Sequence, residues 1–273
     1  MSKRLLGLIL VLPALAVIVF LFMAPLAASV IGAFVVDGDY GFGNFTKSFA
    51  LYTSDIIFTV MIVSLSTVLI GVFAIAIGGY LTLGENPRAV AMLRWLYRWP
   101  MFIPFIVVGQ VLRTFLAKNG LMNNALMALG VMTPLQATSF LDWRGIVIAF
   151  VWKQTPFVTL LVAGAMASVD RGTLEAARNL GASRLRILWE ILVPQVATTL
   201  MVGLVLSFVT MMSVLSVPLM INAQSPTMIT ADIAFRINAY GDYGVANALG
   251  VISLLATACV AWIYLSHSMR QRA

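Results

Sequence analysis

The stretch EAARNLGASRLRILWEILVP, Glu175 to Pro194, is the most charged segment of a very apolar chain. It carries three Arg and two Glu between two long apolar runs, and its small residues gather at Ala176, Ala177, Gly181 and Ala182. These residues predict a short helix, a tight turn and a second helix. Thr173 is expected to cap the first helix and to place Glu175 in its first turn, where an acid complements the helix N-terminus. Gly181 is expected to end that helix in a left-handed conformation, and Ser183 to cap the next. In the second helix Leu188, Ile191 and Leu192 fall on one face at helical spacing, with Leu185 and Ile187 nearby, and the run leads into Pro194. Ala177 and Gly181, four residues apart, leave room for another surface to come close. A helix pair of this kind suits a groove in a partner protein. Spacing alone equally allows an amphipathic connector lying on a membrane.

The surroundings of the loop point to a membrane. Of 273 residues 61% are hydrophobic and 10% charged, against about 25% charged in soluble domains. Mean hydropathy is +1.00. Runs almost free of charge predict six spans, near Leu6–Phe34, Ile56–Leu83, Pro100–Leu116, Gly145–Ala167, Gln195–Ser216 and Tyr243–Ser266. They must be helical, because lipid offers no partner to open backbone groups. The basic start and the small-residue LAAS resemble a signal peptide. The charge-free run from Leu5 to Val36 is far longer than a cleavable apolar region of about 7–15 residues, so it reads as a retained span.

Six spans put both termini on one side. The termini and the loops 84–99 and 168–194 hold eleven Lys and Arg, and the rest of the chain holds six. That bias predicts cytoplasmic termini and a cytoplasmic Glu175–Pro194 loop. The net charge of +7 thus reads as an orientation signal rather than a nucleic-acid footprint.

Several chemistries are excluded. No Lys follows a Gly, so there is no G-x-x-x-x-G-K-[ST] loop to cradle a nucleotide. One His and one Cys cannot build a zinc site. His267 reads as an interfacial residue, and Cys259, inside an apolar run, as a small buried one. None of the six expected spans contains Asp or Glu, which argues against an ion-driven carrier with acids at membrane depth. Any transport energy would then arrive from a partner, through the charged loop. The alternative is a non-transporting membrane scaffold whose loop only binds a partner.

Glu175-Ala176-Ala177, then Gly181-Ala182, then Ile191 and Pro194 resemble the E-A-A-x-x-x-G-A…I-x-L-P loop of permease subunits of bacterial ABC importers. Leu188 stands where Phe is usual and Val193 where Leu is usual, both still apolar. GLMNNALMALG (Gly120–Gly130) and WKQTPF (Trp152–Phe157) look like further segments of that family. The resemblance implies an all-α polytopic fold of the type I importer kind, with residues 1–273 as one transmembrane permease domain. It implies a coupling loop at about 169–194 that docks on a cytoplasmic ABC ATPase dimer through Glu175, Ala176, Ala177, Gly181, Ala182, Leu188, Ile191 and Pro194. It also implies a second permease subunit, identical or similar, and an extracytoplasmic solute-binding protein. The location implied is the bacterial cytoplasmic (inner) membrane. The chain itself binds no cofactor under this reading, ATP and Mg sitting on the ATPase.

The solute is less legible. NLGAS (Asn179–Ser183) and the segment Ser216–Gly250 look closest to polyamine-type permeases, then to phosphonate, ferric-ion and sulfate types; sugar-type members commonly carry Asp where this chain has Leu180. Lys153, Gln110 and Arg113 are the candidate pathway residues. As cations, Lys153 and Arg113 suit an anion or zwitterion better than a polyamine. The structural alternative for Lys153 is pairing with a backbone carbonyl, and Pro156 is expected to kink its helix and free carbonyls nearby.

Overall fold

A computed structural model describes residues 3–222 and 224–270, with side chains at 11–222 and 224–262. His267 lies outside the described side chains. The described residues form two compact units, 3–53 with 232–255, and 54–222 and 224–231 with 256–270.

The first unit holds α1 (Val11–Ala33), a hairpin of β1 (Val35–Val36) and β2 (Asp39–Tyr40), and the start of α2 (Gly43–Leu83). It also takes in the end of α10 (Ile229–Phe235) and the start of α11 (Tyr243–Arg270). The hairpin turns on Asp37-Gly38, both at positive φ, the backbone that a two-residue turn with the strands' own twist requires. Asn44 Nδ2 donates to the carbonyls of Ala33 (3.2 Å) and Val35 (2.8 Å). Ser29 Oγ donates to Asn247 Oδ1 at 2.8 Å. Lys47 and Arg236 both reach the Asp242 carboxylate, at 2.8 and 3.5 Å, and the Arg236 guanidinium lies over the rings of Tyr52 and Tyr240.

The second unit holds the apolar core. It contains the rest of α2, then α3 (Pro87–Leu96), α4 (Phe105–Leu116), α5 (Leu121–Ala128) and α6 (Trp143–Ala167). The loop helix α7 (Arg171–Asn179), α8 (Arg184–Ser213) and α9 (Ser216–Ile221) follow. Helix α6 packs on α8, and α4 on α9. The first contact is close because Gly203 of α8 faces Val158 and Leu161 of α6: a Cβ there would stand 3.3 Å from each. Ile70, Val108, Phe150, Val162, Ile187 and Met211 are fully buried around it.

Among the described residues five helices are long and apolar enough to cross a membrane, and a sixth crossing exists if the bent pair Pro87–Phe102 and Phe105–Ala128 counts as one. That pair corrects the third expected span, which is no straight helix over Pro100–Leu116. Trp99–Phe102 form a 3-10 turn, Ile103 is extended, and the chain bends by 106°. Pro104 causes this, since a proline excludes the helical region from the residue before it. The 12 residues of α4 rise about 18 Å, short of the ~30 Å hydrocarbon core.

Other boundaries shift for identifiable reasons. Helix α2 begins at Gly43 rather than Ile56 because nothing between them breaks a helix, and Thr46 and Ser48 return their hydroxyls to the carbonyls of Phe42 and Asn44. The expected fifth span begins inside the loop, since α8 is continuous from Arg184. It passes through a π turn at Leu188–Leu192, directly before Pro194, which has no N–H for the carbonyl of Glu190. Cys259 is exposed, not buried.

Candidate functional site

The loop between α6 and α8 is built as a helix, a left-handed turn and a second helix. The cap differs from the expected one. Asp170, not Thr173, is the N-cap of α7, accepting from the Thr173 N–H at 2.9 Å and the Thr173 hydroxyl at 3.0 Å. The Thr173 backbone N–H, then its hydroxyl and the Gly172 N–H, hold the Asp170 carboxyl below the usual aspartate range. Glu175 accordingly sits one turn into α7 rather than in its first turn.

The end of α7 forms as its residues predict. Gly181 has φ +82°. Its N–H donates to the Arg178 carbonyl, and the Ala182 N–H to the Ala177 carbonyl, at 2.9 and 3.0 Å. These two bonds satisfy carbonyls that the helix leaves open, in the Schellman arrangement. The Ser183 hydroxyl then accepts from the Arg186 N–H at 3.3 Å and starts α8. Arg186 pairs with Glu190 one turn on, at 2.9 Å, and Arg184 pairs with Glu85 just past the end of α2.

The eight loop residues singled out from sequence divide by exposure. Glu175, Ala176, Gly181 and Pro194 are exposed, Ala177, Ala182 and Ile191 are half-buried, and Leu188 is buried. Leu188 turns inward onto α2: a Cβ on Gly79 would stand 2.7 Å from Leu188 Cδ1. With Leu174, Ile187 and Leu192, also buried, Leu188 seats the loop on the core. The apolar side chains offered outward are ones the motif does not name: Leu180 (88% exposed), Leu185 (69%) and Trp189 (58%). A sequence signal for two of them existed, since Leu185 and Trp189 are four apart and so share a helix face.

The expected pathway residues do not form one cluster. Lys153 Nζ donates to the carbonyls of Pro100 (3.0 Å) and Met101 (2.7 Å) and lies 5.6 Å from the Phe105 ring centroid. It thus satisfies the backbone at the break before α4, not carbonyls freed by Pro156. Gln110 and Arg113 are exposed on α4, opposite the buried face of Val108, Leu112 and Leu116. Gly109 on that buried side touches α9, where a Cβ would meet Met220 Cβ at 3.0 Å.

A buried acid escaped the sequence reading. Asp55 stood one residue before the expected second span; in the structure it is 2% exposed within α2. Its carboxylate accepts from the Thr227 N–H (2.6 Å), Ser225 Oγ (3.2 Å) and Ser54 Oγ (3.1 Å). Those donors offset the cost of removing a carboxylate from water and fix the segment after α9. Only tertiary packing could reveal this, because two of the three donors, Ser225 and Thr227, lie about 170 residues away in sequence.

Residues 68–272 match the family described as binding-protein-dependent transport system inner membrane component. The chain belongs to this family, the transmembrane permease subunits of ABC importers, and shares its membrane-embedded, multi-helix build. It is similar over 97% of its length, at 26% identity and 91% coverage of the relative, to the sulfoquinovosyl glycerol transport system permease protein SmoG of Agrobacterium fabrum. It is also similar, at 29% identity over 76% of this chain and 70% of the relative, to the trehalose/maltose transport system permease protein MalF of Thermococcus litoralis. Among solved structures, a chain of a bacterial ABC transporter that imports the acidic polysaccharide alginate aligns with TM-score 0.82 and 20% identity, covering 98% of this chain and 96% of that one.

Proposed function

We propose that this chain forms half of the translocation pathway of an ATP-driven importer of the bacterial inner membrane, with its termini and the Asp170–Pro194 loop in the cytoplasm. A second permease subunit forms the other half, and a solute-binding protein delivers the substrate from outside. The loop docks on the ATPase subunit, which alone binds ATP and Mg; this chain is not an enzyme and holds no cofactor. The observation that carries this reading is the loop itself. Two capped helices meet at the left-handed Gly181, expose Glu175, Leu180 and Trp189, and are seated on the core by Leu188. A connector lying on the membrane has no need of that turn.

For the solute, a sugar derivative is the first reading, because the two relatives above are named for sulfoquinovosyl glycerol and trehalose/maltose. A polyamine is the second, favoured by the Leu180 of NLGAS. The exposed cation Arg113 opposes a polycation.

Two measurements test the proposal. Glu175→Lys and Gly181→Leu should both leave the chain at normal membrane levels while pull-down of the ATPase subunit and solute uptake fall. Normal association and normal uptake in both variants would remove the docking role. Uptake of labelled trehalose and labelled spermidine, with and without this gene, separates the two solute readings: loss of spermidine uptake alone reverses their order.

A further inference from the structure

A cavity of about 610 Å³ opens where α3, the end of α6 and α7 meet the end of α2. Four arginines from two elements line it, Arg94 and Arg98 around α3 and Arg171 and Arg178 on α7, with Glu175 as the one acid. Among the described residues none of the four guanidiniums has a carboxylate within 4.0 Å. Other arginines of this chain, at 144, 184, 186 and 236, do pair with acids. Apart from Thr82 and Tyr97 the remaining wall is apolar, including Leu160 and Ala163 of α6.

Four guanidiniums with no carboxylate partner around a concave site call for an anion, although Arg98 Nε also donates to the Tyr97 hydroxyl at 3.2 Å. Their planar forks match the oxygens of a phosphate group, which can take two parallel hydrogen bonds from each. Position narrows the source. Leu81 and Thr82 stand at the end of the membrane-crossing α2, and Ala167 is the last residue of the membrane-crossing α6. The cavity therefore lies at the level where apolar helix gives way to polar loop. Beside it Trp95 and Trp99, exposed and stacked edge-on with centroids 4.7 Å apart, project from the same segment as Arg94 and Arg98. Exposed tryptophans interleaved with arginines mark the headgroup zone of a bilayer.

We propose that this cavity binds the phosphate of an anionic phospholipid headgroup, with the arginines on the phosphate and the apolar wall along the lipid's glycerol and upper chains. The site is shared between two elements: Arg171, Glu175 and Arg178 belong to the loop given the docking role above, whereas Arg94 and Arg98 lie outside it. Because Arg171, Glu175 and Arg178 line the same cavity, an occupied site would also order α7.

The test uses the full chain purified in neutral detergent. Native mass spectrometry after incubation with equimolar phosphatidylglycerol and phosphatidylcholine should show phosphatidylglycerol retained in about fivefold excess or more, the ratio that even one cation at an anionic surface supports. Arg94→Gln/Arg98→Gln should bring the ratio to parity. Arg171→Gln/Arg178→Gln should do the same from the second element, so the test survives if one pair fails to fold. Arg88→Gln, on α3 but outside the cavity lining, should keep the preference. A second arm adds glycerol phosphate without lipid. If it raises the melting temperature of the native chain but not of the arginine variants, and no lipid preference exists, the phosphate site stands with a soluble ligand. A preference unchanged in both double variants overturns the proposal. So does silence from both probes with loss of the ATPase subunit in the variants, which would make an acidic protein surface the occupant.

Discussion

At the residue scale Gly181 is the sharpest case. Its φ of +82° is costly for any residue with a Cβ, about 1–2 kcal/mol. No atom lies within 4 Å of where a Cβ would stand, so the penalty is in the backbone and not in a clash within this chain. Asn tolerates the left-handed region better than Leu. Gly181→Asn is therefore expected to keep more of the ATPase association than Gly181→Leu, by side-by-side pull-down; equal loss would point to side-chain size at the contact instead of backbone strain. Asp170 gives a pH prediction. Its carboxyl is held below the usual range by the Thr173 N–H first, so the folded loop binds its proton less readily than the unfolded chain. The cap's contribution is full above the ordinary aspartate value, roughly pH 4, and is lost as pH falls through the lowered one. Amide protection of Thr173, corrected for intrinsic exchange, should hold at neutral pH and decline only under such acid conditions.

At the element scale the break between α3 and α4 is held by one side chain from α6. Removing Lys153 leaves the carbonyls of Pro100 and Met101 without their donor, a cost of about 1–3 kcal/mol if they stay buried. Lys153→Met should lower the melting temperature of the purified chain as well as uptake. Lower uptake of an anionic solute at unchanged stability would instead place Lys153 on the solute's path. Gly145, in the first turn of α6, sits against backbone: a Cβ would stand 2.4 Å from the Phe140 carbonyl oxygen and 2.8 Å from Ile221 Cγ2. A carbonyl cannot swing aside as a side chain can, so Gly145→Ala is an overpacking change worth about 1–3 kcal/mol, readable as a lower melting temperature.

At the scale of the whole molecule the predictions concern orientation and energy. Cys259 is the chain's one cysteine, so Cys259→Ala gives a clean background for single-cysteine labelling. In intact cells a membrane-impermeant maleimide should reach Gly41→Cys, in the loop after α1, and not Ser183→Cys, in the loop between α7 and α8; the opposite pattern would invert the proposed topology. The purified chain should hydrolyse no ATP, having no phosphate-cradling loop. Turnover that survives removal of every co-purifying ATPase would overturn that.

The membrane class, the loop's helix–turn–helix form and the family were legible in the sequence because each rests on a local signal. Apolar run length, the Lys and Arg bias, a glycine where a helix must end left-handed, and a serine one residue after Ala182 all act within a few residues. The broken third crossing was half legible: Pro104 announces a boundary, but the 106° bend depends on Lys153 arriving from another helix to satisfy the opened backbone. The starts of α2 and α8 were misplaced because hydropathy marks what lipid accepts, while a helix continues until something breaks it. The inward turn of Leu188, the donors around Asp55 and the gathering of four arginines around one cavity belong to the tertiary structure alone. Each is a contact between segments distant in sequence, and one-dimensional spacing carries no record of which distant groups will meet.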